Sequence, residues 1–301
     1  MSQKQIEAFK RNANNERLED YAVKKVIICG DTVIVKAAKR KRSNTNSNKN
    51  NRNNSNENSK PRNLNKSNDR IANERTLLNS LFNTSLIILK NFSGAENEVF
   101  ITLTCAKPQR DVHKMQESFK TFWRKFKRAY PGSVYVRIAE PNDFGAWHFH
   151  ILIKDTTSEK LVVDIAKLRK FWGNGGVNVK RIYSIDGLAN YFIPSKSISA
   201  KEKARLKYKR LKFYPKGFNA YSCSKDIVFP EEIEMTDEEI EILRAYFDLN
   251  YAHLKDVVMT DEDGKKHLLN TYLFQKYKRN NFSINQISEP ELSGERKEVD
   301  E

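Results

Sequence analysis

The tripeptide His148-Phe149-His150 holds the residues of this sequence that are best suited to chemistry. It lies within 147–153, whose apolar and aromatic residues predict a strand. Side chains at positions i and i+2 of a strand project to the same face, so the two imidazoles are expected side by side. Imidazole is a common metal ligand, and the pair is therefore a candidate metal site. Histidines at this spacing also occur as ordinary, partly buried residues.

The segment before the histidines can add a third ligand. A second strand is predicted at 134–140. Between it and the histidine strand at 147–153 lies Pro141-Asn142-Asp143-Phe144-Gly145, which has turn-forming residue types. An antiparallel hairpin symmetric about Phe144 places Glu140 opposite His148, where paired side chains share a face. Glu140, His148 and His150 then form a two-histidine, one-carboxylate set with open positions, which suits Mg²⁺ or Mn²⁺.

The elements that must position these ligands follow from hydrophobic periodicity. Strands are predicted at 99–104, 134–140, 147–153 and 177–182, and helices at 112–130, 161–172 and 184–193, with Gly173 and Pro194 ending the last two helices. Over 99–196 the order is β-α-β-β-α-β-α. It favours an α+β fold with a central antiparallel sheet and flanking helices packed on one face.

Cleavage of a phosphodiester at such a site needs a nucleophile beside the metal. A tyrosine gives a phosphotyrosyl intermediate that retains bond energy for religation. Of the twelve tyrosines, Tyr191 is the first candidate, because it lies on the last helix of the core, after the fourth strand. Tyr183, at the strand end, is the reserve candidate. A half-buried helix aromatic is the alternative interpretation of Tyr191.

Segments on both sides of the core domain (71–230) differ from it in composition. Residues 1–38 predict a helix and two short strands, and 39–70 predict a disordered basic linker rich in Asn. The linker is either a spacer or a DNA-holding arm. Thr236-Asp237-Glu238-Glu239 has the pattern of a capping box, so 231–288 are predicted to be a mostly helical extension, before a disordered tail at 289–301.

The charge of the chain indicates a polyanionic partner. The net charge is +16, and Lys and Arg side chains that neutralise phosphates gain free energy by releasing counterions. No run of about 18 apolar residues occurs, which predicts a cytoplasmic protein without membrane contact. The three cysteines lack the C-x-x-C spacing of a zinc site.

Several of these segments, over about residues 70–230, resemble the rolling-circle replication initiators of the HUH endonuclease superfamily, of the plasmid and phage replication-associated type. The similar segments occur in the family's order: Phe100-Ile101-Thr102-Leu103-Thr104, Glu140-Pro141, Gly145-Ala146-Trp147-His148-Phe149-His150-Ile151-Leu152-Ile153, Phe171-Trp172-Gly173, Val177-Asn178-Val179-Lys180-Arg181-Ile182, Leu188-Ala189-Asn190-Tyr191 and Ala220-Tyr221-Ser222-Cys223-Ser224-Lys225.

The resemblance implies an HUH-endonuclease-like core in which Glu140, His148 and His150 bind Mg²⁺ or Mn²⁺. Tyr191 is then the nucleophile that nicks one strand at a replication origin and stays joined to the new 5′ end, while the free 3′ hydroxyl primes synthesis. The implied partners are single-stranded and double-stranded origin DNA, with a host helicase and polymerase. Many relatives carry Lys three residues after the tyrosine, whereas this chain has Pro194, and Lys196 is the predicted substitute for that cation.

Phosphate contacts are predicted from Lys180 and Arg181, on the strand before the tyrosine helix, and from Arg137, beside the metal strand. Each can equally belong to a solvated face. Two other functions remain open: a relaxase or transposase with the same nicking chemistry, and a noncatalytic nucleic-acid-binding protein.

Overall fold

The computed structural model describes residues 17–41, 66–194 and 201–280, apart from the side chains of 66–72 and of 203–204. In these residues the ten strands are β1 (Val23–Cys29), β2 (Thr32–Ala38), β3 (Glu98–Leu103), β4 (Ser133–Pro141), β5 (Trp147–Asp155), β6 (Val177–Lys180), β7 (Tyr221–Cys223), β8 (Ile233–Glu234), β9 (Phe247–Thr260) and β10 (Lys266–Arg279). The six α-helices are α1 (Lys66–Asn91), α2 (Val112–Ala129), α3 (Ile165–Trp172), α4 (Ile185–Tyr191), α5 (Glu202–Arg210) and α6 (Asp237–Tyr246).

The described chain divides into two compact units, a larger one formed mainly by 66–194 and 201–231 and a smaller one by 17–27, 31–41 and 232–280. The larger unit contains a five-stranded antiparallel sheet of order β6-β3-β5-β4-β7. Along the chain, α1 comes first in this unit and is followed by β3, α2, β4, β5, α3, β6 and α4. The prediction of an antiparallel sheet with flanking helices in a mixed α and β fold is confirmed.

Helices cover both faces of this sheet, so the prediction of helices on one face is wrong. On one face, Phe119 of α2 packs edge-on against Phe149, with ring centroids 5.7 Å apart. On the other face, Phe192 at the end of α4 lies 5.5 Å from His150 and 6.5 Å from Phe100. The physical reason is that neighbouring residues of β5, which point to opposite faces, are nearly all buried. A sheet that is apolar on both sides needs cover on both.

Local signals explain the helix ends around the site. Asp111 caps α2 by accepting hydrogen bonds from two backbone amides, and Ser184 caps α4 by accepting one from Gly187. Gly173 ends α3 in the left-handed conformation, with φ of 67°, as the sequence predicted. Pro194 lies beyond the last residue of α4, which agrees with its predicted role as a helix stop.

The smaller unit contains a second antiparallel sheet of order β8-β1-β2-β10-β9. The prediction of a mostly helical C-terminal extension is wrong. The capping box at Thr236 and Glu239 starts α6 as predicted, but the helix ends at Tyr246 and two strands of 14 residues follow. On β10, buried residues alternate with more exposed ones from Thr271 to Tyr277, and this part pairs with β2. Pairing with a distant strand therefore decided the conformation, which no local helix signal could anticipate.

Some predictions at the flanks concern residues outside the described ranges: most of the helix predicted at 3–22, most of the basic linker at 39–70 and the tail at 289–301. In the described end of the predicted helix, Leu18–Asp20 form a single 3-10 turn and Tyr21 is already extended. The two short N-terminal strands are confirmed as β1 and β2. Residues 66–70, placed in the linker by the sequence, belong to α1. In the described part of the chain, no helix is both long and apolar enough to cross a membrane.

Candidate metal centre and nucleophile

The hairpin of β4 and β5 brings the three predicted ligands together. Its register pairs Glu140 with His148, as predicted from a turn symmetric about Phe144, and Ile138 with His150. Nε2 of His150 lies 2.8 Å from Oε2 of Glu140, and Nε2 of His148 lies 3.5 Å from the same oxygen. The candidate ligand atoms all lie within 4.8 Å of one another.

Neighbouring side chains hold His150 in place. Nδ1 of His150 lies 3.3 Å from the Thr102 hydroxyl on β3, which leaves Nε2 directed at Glu140. The ring of Phe100 stacks on the imidazole, with centroids 5.5 Å apart and planes inclined by 6°. Burial lowers the pKa of His150, and its hydrogen bond with Glu140 acts in the opposite direction. The imidazole is therefore oriented, and its neutral form, the one that binds metals, is favoured.

Two cations from α5 approach the other oxygen of Glu140. Nζ of Lys207 lies 3.0 Å from Oε1, and Nη1 of Arg210 lies 3.2 Å from it. Burial by itself would raise the pKa of Glu140, but the hydrogen bonds with His148 and His150 and the charge of Lys207 outweigh it. The pKa lies far below its ordinary value, and the carboxylate is ionised.

Tyr191 adjoins this cluster. Its ring lies edge-on to His150 with centroids 5.9 Å apart, and Nζ of Lys207 lies 3.2 Å from its ring centroid. Tyr191 remains 40% exposed, so that an approaching substrate can reach it. Burial, and then the charge of Glu140, raise the pKa of Tyr191 above its ordinary value. Tyr183, the reserve candidate, projects into solvent with 93% of its surface exposed.

The predicted phosphate contacts differ in their surroundings. Lys180 and Arg181 are exposed at β6 and just beyond it, and Nη1 of Arg181 donates a hydrogen bond to the Glu96 carbonyl at 2.9 Å. Arg137 is only 5% exposed, so the prediction that it contacts a phosphate is wrong. Its guanidinium lies between the rings of Phe119 and Phe149, 4.5 and 4.4 Å from their centroids. Burial lowers the pKa of Arg137 to about 10, and its contacts are those of a core residue.

Lys207 and Arg210 were missed by the sequence analysis. Their spacing of three residues on a helix puts both cations on one side of α5, and this spacing could have indicated a shared role. It did not stand out, because the chain contains 54 Lys and Arg residues. The predicted cation Lys196 lies outside the described residues. Lys207 is buried, and burial lowers its pKa to about 8 while the charge of Glu140 acts in the opposite direction.

The donor set fits a divalent metal ion. Two imidazole nitrogens and one carboxylate oxygen, close together near the turn of the hairpin, match the type of site that leaves coordination positions open for a substrate. Burial of Glu140 and His150 excludes water from part of the site. The cluster can therefore hold a cation close to the side chain of Tyr191, whose ring contacts His150.

The comparisons with known proteins concern the part of the chain that contains these ligands. Residues 98–197 match a family model of replication-associated proteins. The matched residues are about a third of the chain and include Glu140, His148, His150 and Tyr191. No curated protein and no solved structure gave a significant match. The family match confirms the resemblance indicated by the sequence motifs: in residues 98–197 the chain is similar to replication-associated proteins, which supports a protein of the rolling-circle replication initiator type.

Proposed function

We propose that this protein starts rolling-circle DNA replication by nicking one strand of origin DNA with Tyr191, within an HUH-endonuclease-like core. The observation that carries the proposal is the contact between the Tyr191 ring and His150, with centroids 5.9 Å apart, beside the Glu140-His148-His150 cluster. A nucleophile and a candidate metal centre thus adjoin in the segment that matches the replication-associated family.

Glu140, His148 and His150 would hold Mg²⁺ or Mn²⁺. When bound there, the metal polarises a non-bridging oxygen of the scissile phosphate. The local charges suit this task, because the carboxylates of Glu140 and Asp143 balance the cations of Lys207 and Arg210. With a divalent cation added, the site has a net positive charge that complements a phosphodiester.

The remaining chemistry belongs to Tyr191 and its neighbours. The Tyr191 oxygen attacks phosphorus, and the bond from phosphorus to the 3′ oxygen breaks. The phenolic proton passes to solvent, and the leaving 3′ oxygen gains a proton to become the primer hydroxyl. Lys207, 3.2 Å from the ring centroid, keeps the ring in place and adds positive charge beside the reacting phosphate.

Lys180 and Arg181 are proposed contacts to flanking phosphates, because both are exposed in the β6 segment that leads to α4. The proposed partners are single-stranded and double-stranded origin DNA, followed by a host helicase and polymerase. A relaxase or transposase would use the same residues on other DNA. A noncatalytic nucleic-acid-binding protein would not need a tyrosine beside a metal cluster.

The test uses oligonucleotides tiled over both strands of the genetic element that encodes the protein, incubated with the full chain and Mn²⁺. On a denaturing gel, a 3′-labelled strand is expected to migrate with the protein, and a 5′-labelled strand to release a shorter fragment. Tyr191→Phe should lose the adduct, and the exposed Tyr183→Phe should retain it.

Absence of any adduct under conditions where DNA binds would overturn the enzymatic proposal. An adduct that persists in Tyr191→Phe but not in Tyr183→Phe would overturn only the choice of nucleophile. DNA from an origin gives the adduct if the protein is an initiator, and DNA from a transfer origin or transposon end gives it in the alternative functions.

A further inference from the structure

The tip of the β4–β5 hairpin, which carries Glu140, His148 and His150, exposes a large aromatic side chain. Phe144 is 79% exposed and lies four residues after Glu140. Single exposed apolar residues are common on protein surfaces, so exposure alone indicates little. The way in which the surrounding loop is fixed distinguishes this residue.

Hydrogen bonds hold the backbone of Phe144 from both sides. Its amide donates to Oδ1 of Asn142 at 3.0 Å, and the amide of Ala146 donates to the same oxygen at 2.9 Å. The amide of Gly145 donates to the Asn142 carbonyl at 3.0 Å. Nε of Arg110, from outside the hairpin, donates to the Phe144 carbonyl at 3.2 Å. The exposed ring is therefore presented by an ordered turn.

The turn is also supported from below. Gly145 has φ of +78°, and a Cβ atom at this position would lie 3.0 Å from the ring of Phe213. The backbone of the turn thus packs closely on that ring, and only glycine combines this conformation with this approach. Such a support restricts the loop, so that little conformational entropy remains to be lost when the Phe144 ring binds a ligand.

The guanidinium of Arg210 connects this turn to the Glu140-His148-His150 cluster. Nε of Arg210 donates to Oδ1 of Asp143 at 2.8 Å, while Nη1 of the same side chain lies 3.2 Å from Oε1 of Glu140. Arg110 adds a second guanidinium, which contacts the backbone carbonyl of Phe144. Two cations therefore contact the turn that carries Phe144, and one of them also contacts Glu140 of the proposed site of phosphodiester cleavage.

We propose that Phe144 is a stacking platform for an unpaired base of the DNA strand next to the scissile phosphate. This inference rests on the proposed function insofar as it takes single-stranded DNA as the ligand. An exposed aromatic ring on a turn that two guanidinium groups contact can combine base stacking with phosphate contacts, which is the chemistry of single-strand recognition. The charged groups on this turn argue for this ligand over a protein partner, whose interface would need a contiguous apolar patch.

Stacking makes a specific prediction about strand state. In a duplex, the faces of a base are covered by its neighbours, so the Phe144 ring has no free base to contact. In a single strand, each base presents a face of its own. Loss of the ring should therefore weaken the binding of single strands and leave duplex binding unchanged. It should also leave the salt dependence unchanged, because no phosphate contact is lost.

The experiment measures the affinity of the full chain for a fluorescent oligothymidylate and for a matched duplex, by anisotropy, in EDTA so that no cleavage occurs. Phe144→Ala is expected to weaken single-strand binding by about 5- to 150-fold, the equivalent of about 1–3 kcal/mol. Phe144→Trp should retain or improve it. Phe229→Ala is the matched control, because Phe229 is another exposed phenylalanine of the larger unit and is 51% exposed.

Unchanged single-strand affinity in Phe144→Ala, which is also what a docking surface for a protein predicts, would overturn the inference. So would an equal loss on the duplex, a changed salt slope, or the absence of single-strand binding by the wild type. A Phe144-dependent affinity in a protein that forms no covalent adduct would support the inference and overturn only the nicking proposal.

Discussion

Glu98 and Glu140 are both buried on the same face of the larger unit's sheet, at opposite ends of β5. Glu98 pairs with Lys154 of β5, and Glu140 pairs with His148 of the same strand. Lys154 and His148 are six residues apart, which is about 20 Å along a strand. The two carboxylates have the same chemistry and similar burial. What differs is the kind of group that satisfies each one.

The carboxylate of Glu98 is satisfied mainly by the backbone. The Ser93 amide donates to it at 3.0 Å and the Gly94 amide at 2.7 Å, while Nζ of Lys154 lies 3.4 Å away. Backbone amides are fixed donors that cannot leave, so this carboxylate ties the loop after α1 to the start of β3. Its role is structural.

The carboxylate of Glu140 is contacted by ionisable side chains, two histidines on one oxygen and two cations on the other. Such partners can exchange a proton or reorient around a metal, whereas backbone amides cannot. Both carboxylates are buried, so burial does not distinguish them, but their partners do. Three substitutions test whether that difference separates a structural carboxylate from a functional one.

Glu140→Gln is expected to have the largest effect. The substitution leaves two imidazoles as the ligand set, so the affinity for Mn²⁺ should fall by at least about 100-fold. The covalent DNA adduct should disappear with it. Titration calorimetry on protein whose fold is verified by circular dichroism measures this. Unchanged Mn²⁺ affinity would mean that Glu140 is not a ligand and that its partners resemble those of Glu98 in function.

Glu98→Gln should act on stability instead. The amide nitrogen of glutamine cannot accept a hydrogen bond, so part of the backbone donation is lost in a buried place, at a cost of about 2 kcal/mol. Urea unfolding measures the change in the free energy of unfolding. Mn²⁺ affinity and adduct formation, measured under conditions well below the midpoint of unfolding, should match those of the wild type. A loss of metal binding here would break the comparison between the two glutamates.

Lys207→Met should have the smallest effect and should separate metal binding from catalysis. Removing a cation 3.0 Å from Glu140 lowers the repulsion that an incoming metal meets, so Mn²⁺ should bind about fivefold more tightly. Adduct formation should slow by about tenfold, because Tyr191 loses the cation over its ring.

Lys209→Met is the control, since Lys209 is exposed on the same helix and carries the same charge. If both variants change metal affinity equally, net charge explains the effect, and Lys207 has no special place in the site.

The arrangement of the ligands was predictable because its causes are local. Turn-forming residues between two apolar segments set the hairpin register, and the period of two in a strand sets the faces. Together they place Glu140 opposite His148, as observed. The same period of two would have corrected the prediction that Arg137 contacts a phosphate beside the ligands. Three residues before Glu140, it must point to the opposite face, where Phe119 and Phe149 enclose it.

The sequence by itself determined four of the five strands in the sheet of the larger unit, the helix ends, the turn and the approach of Glu140 to His148 and His150. Each of these follows from residues within a few positions of one another. Only the tertiary structure decided that Arg210 reaches Glu140 from 70 residues away and that β10 pairs with β2. Such approaches depend on how whole helices and strands pack together. Hydrophobic periodicity indicates which side of a helix or strand is buried, but not which other element covers that side.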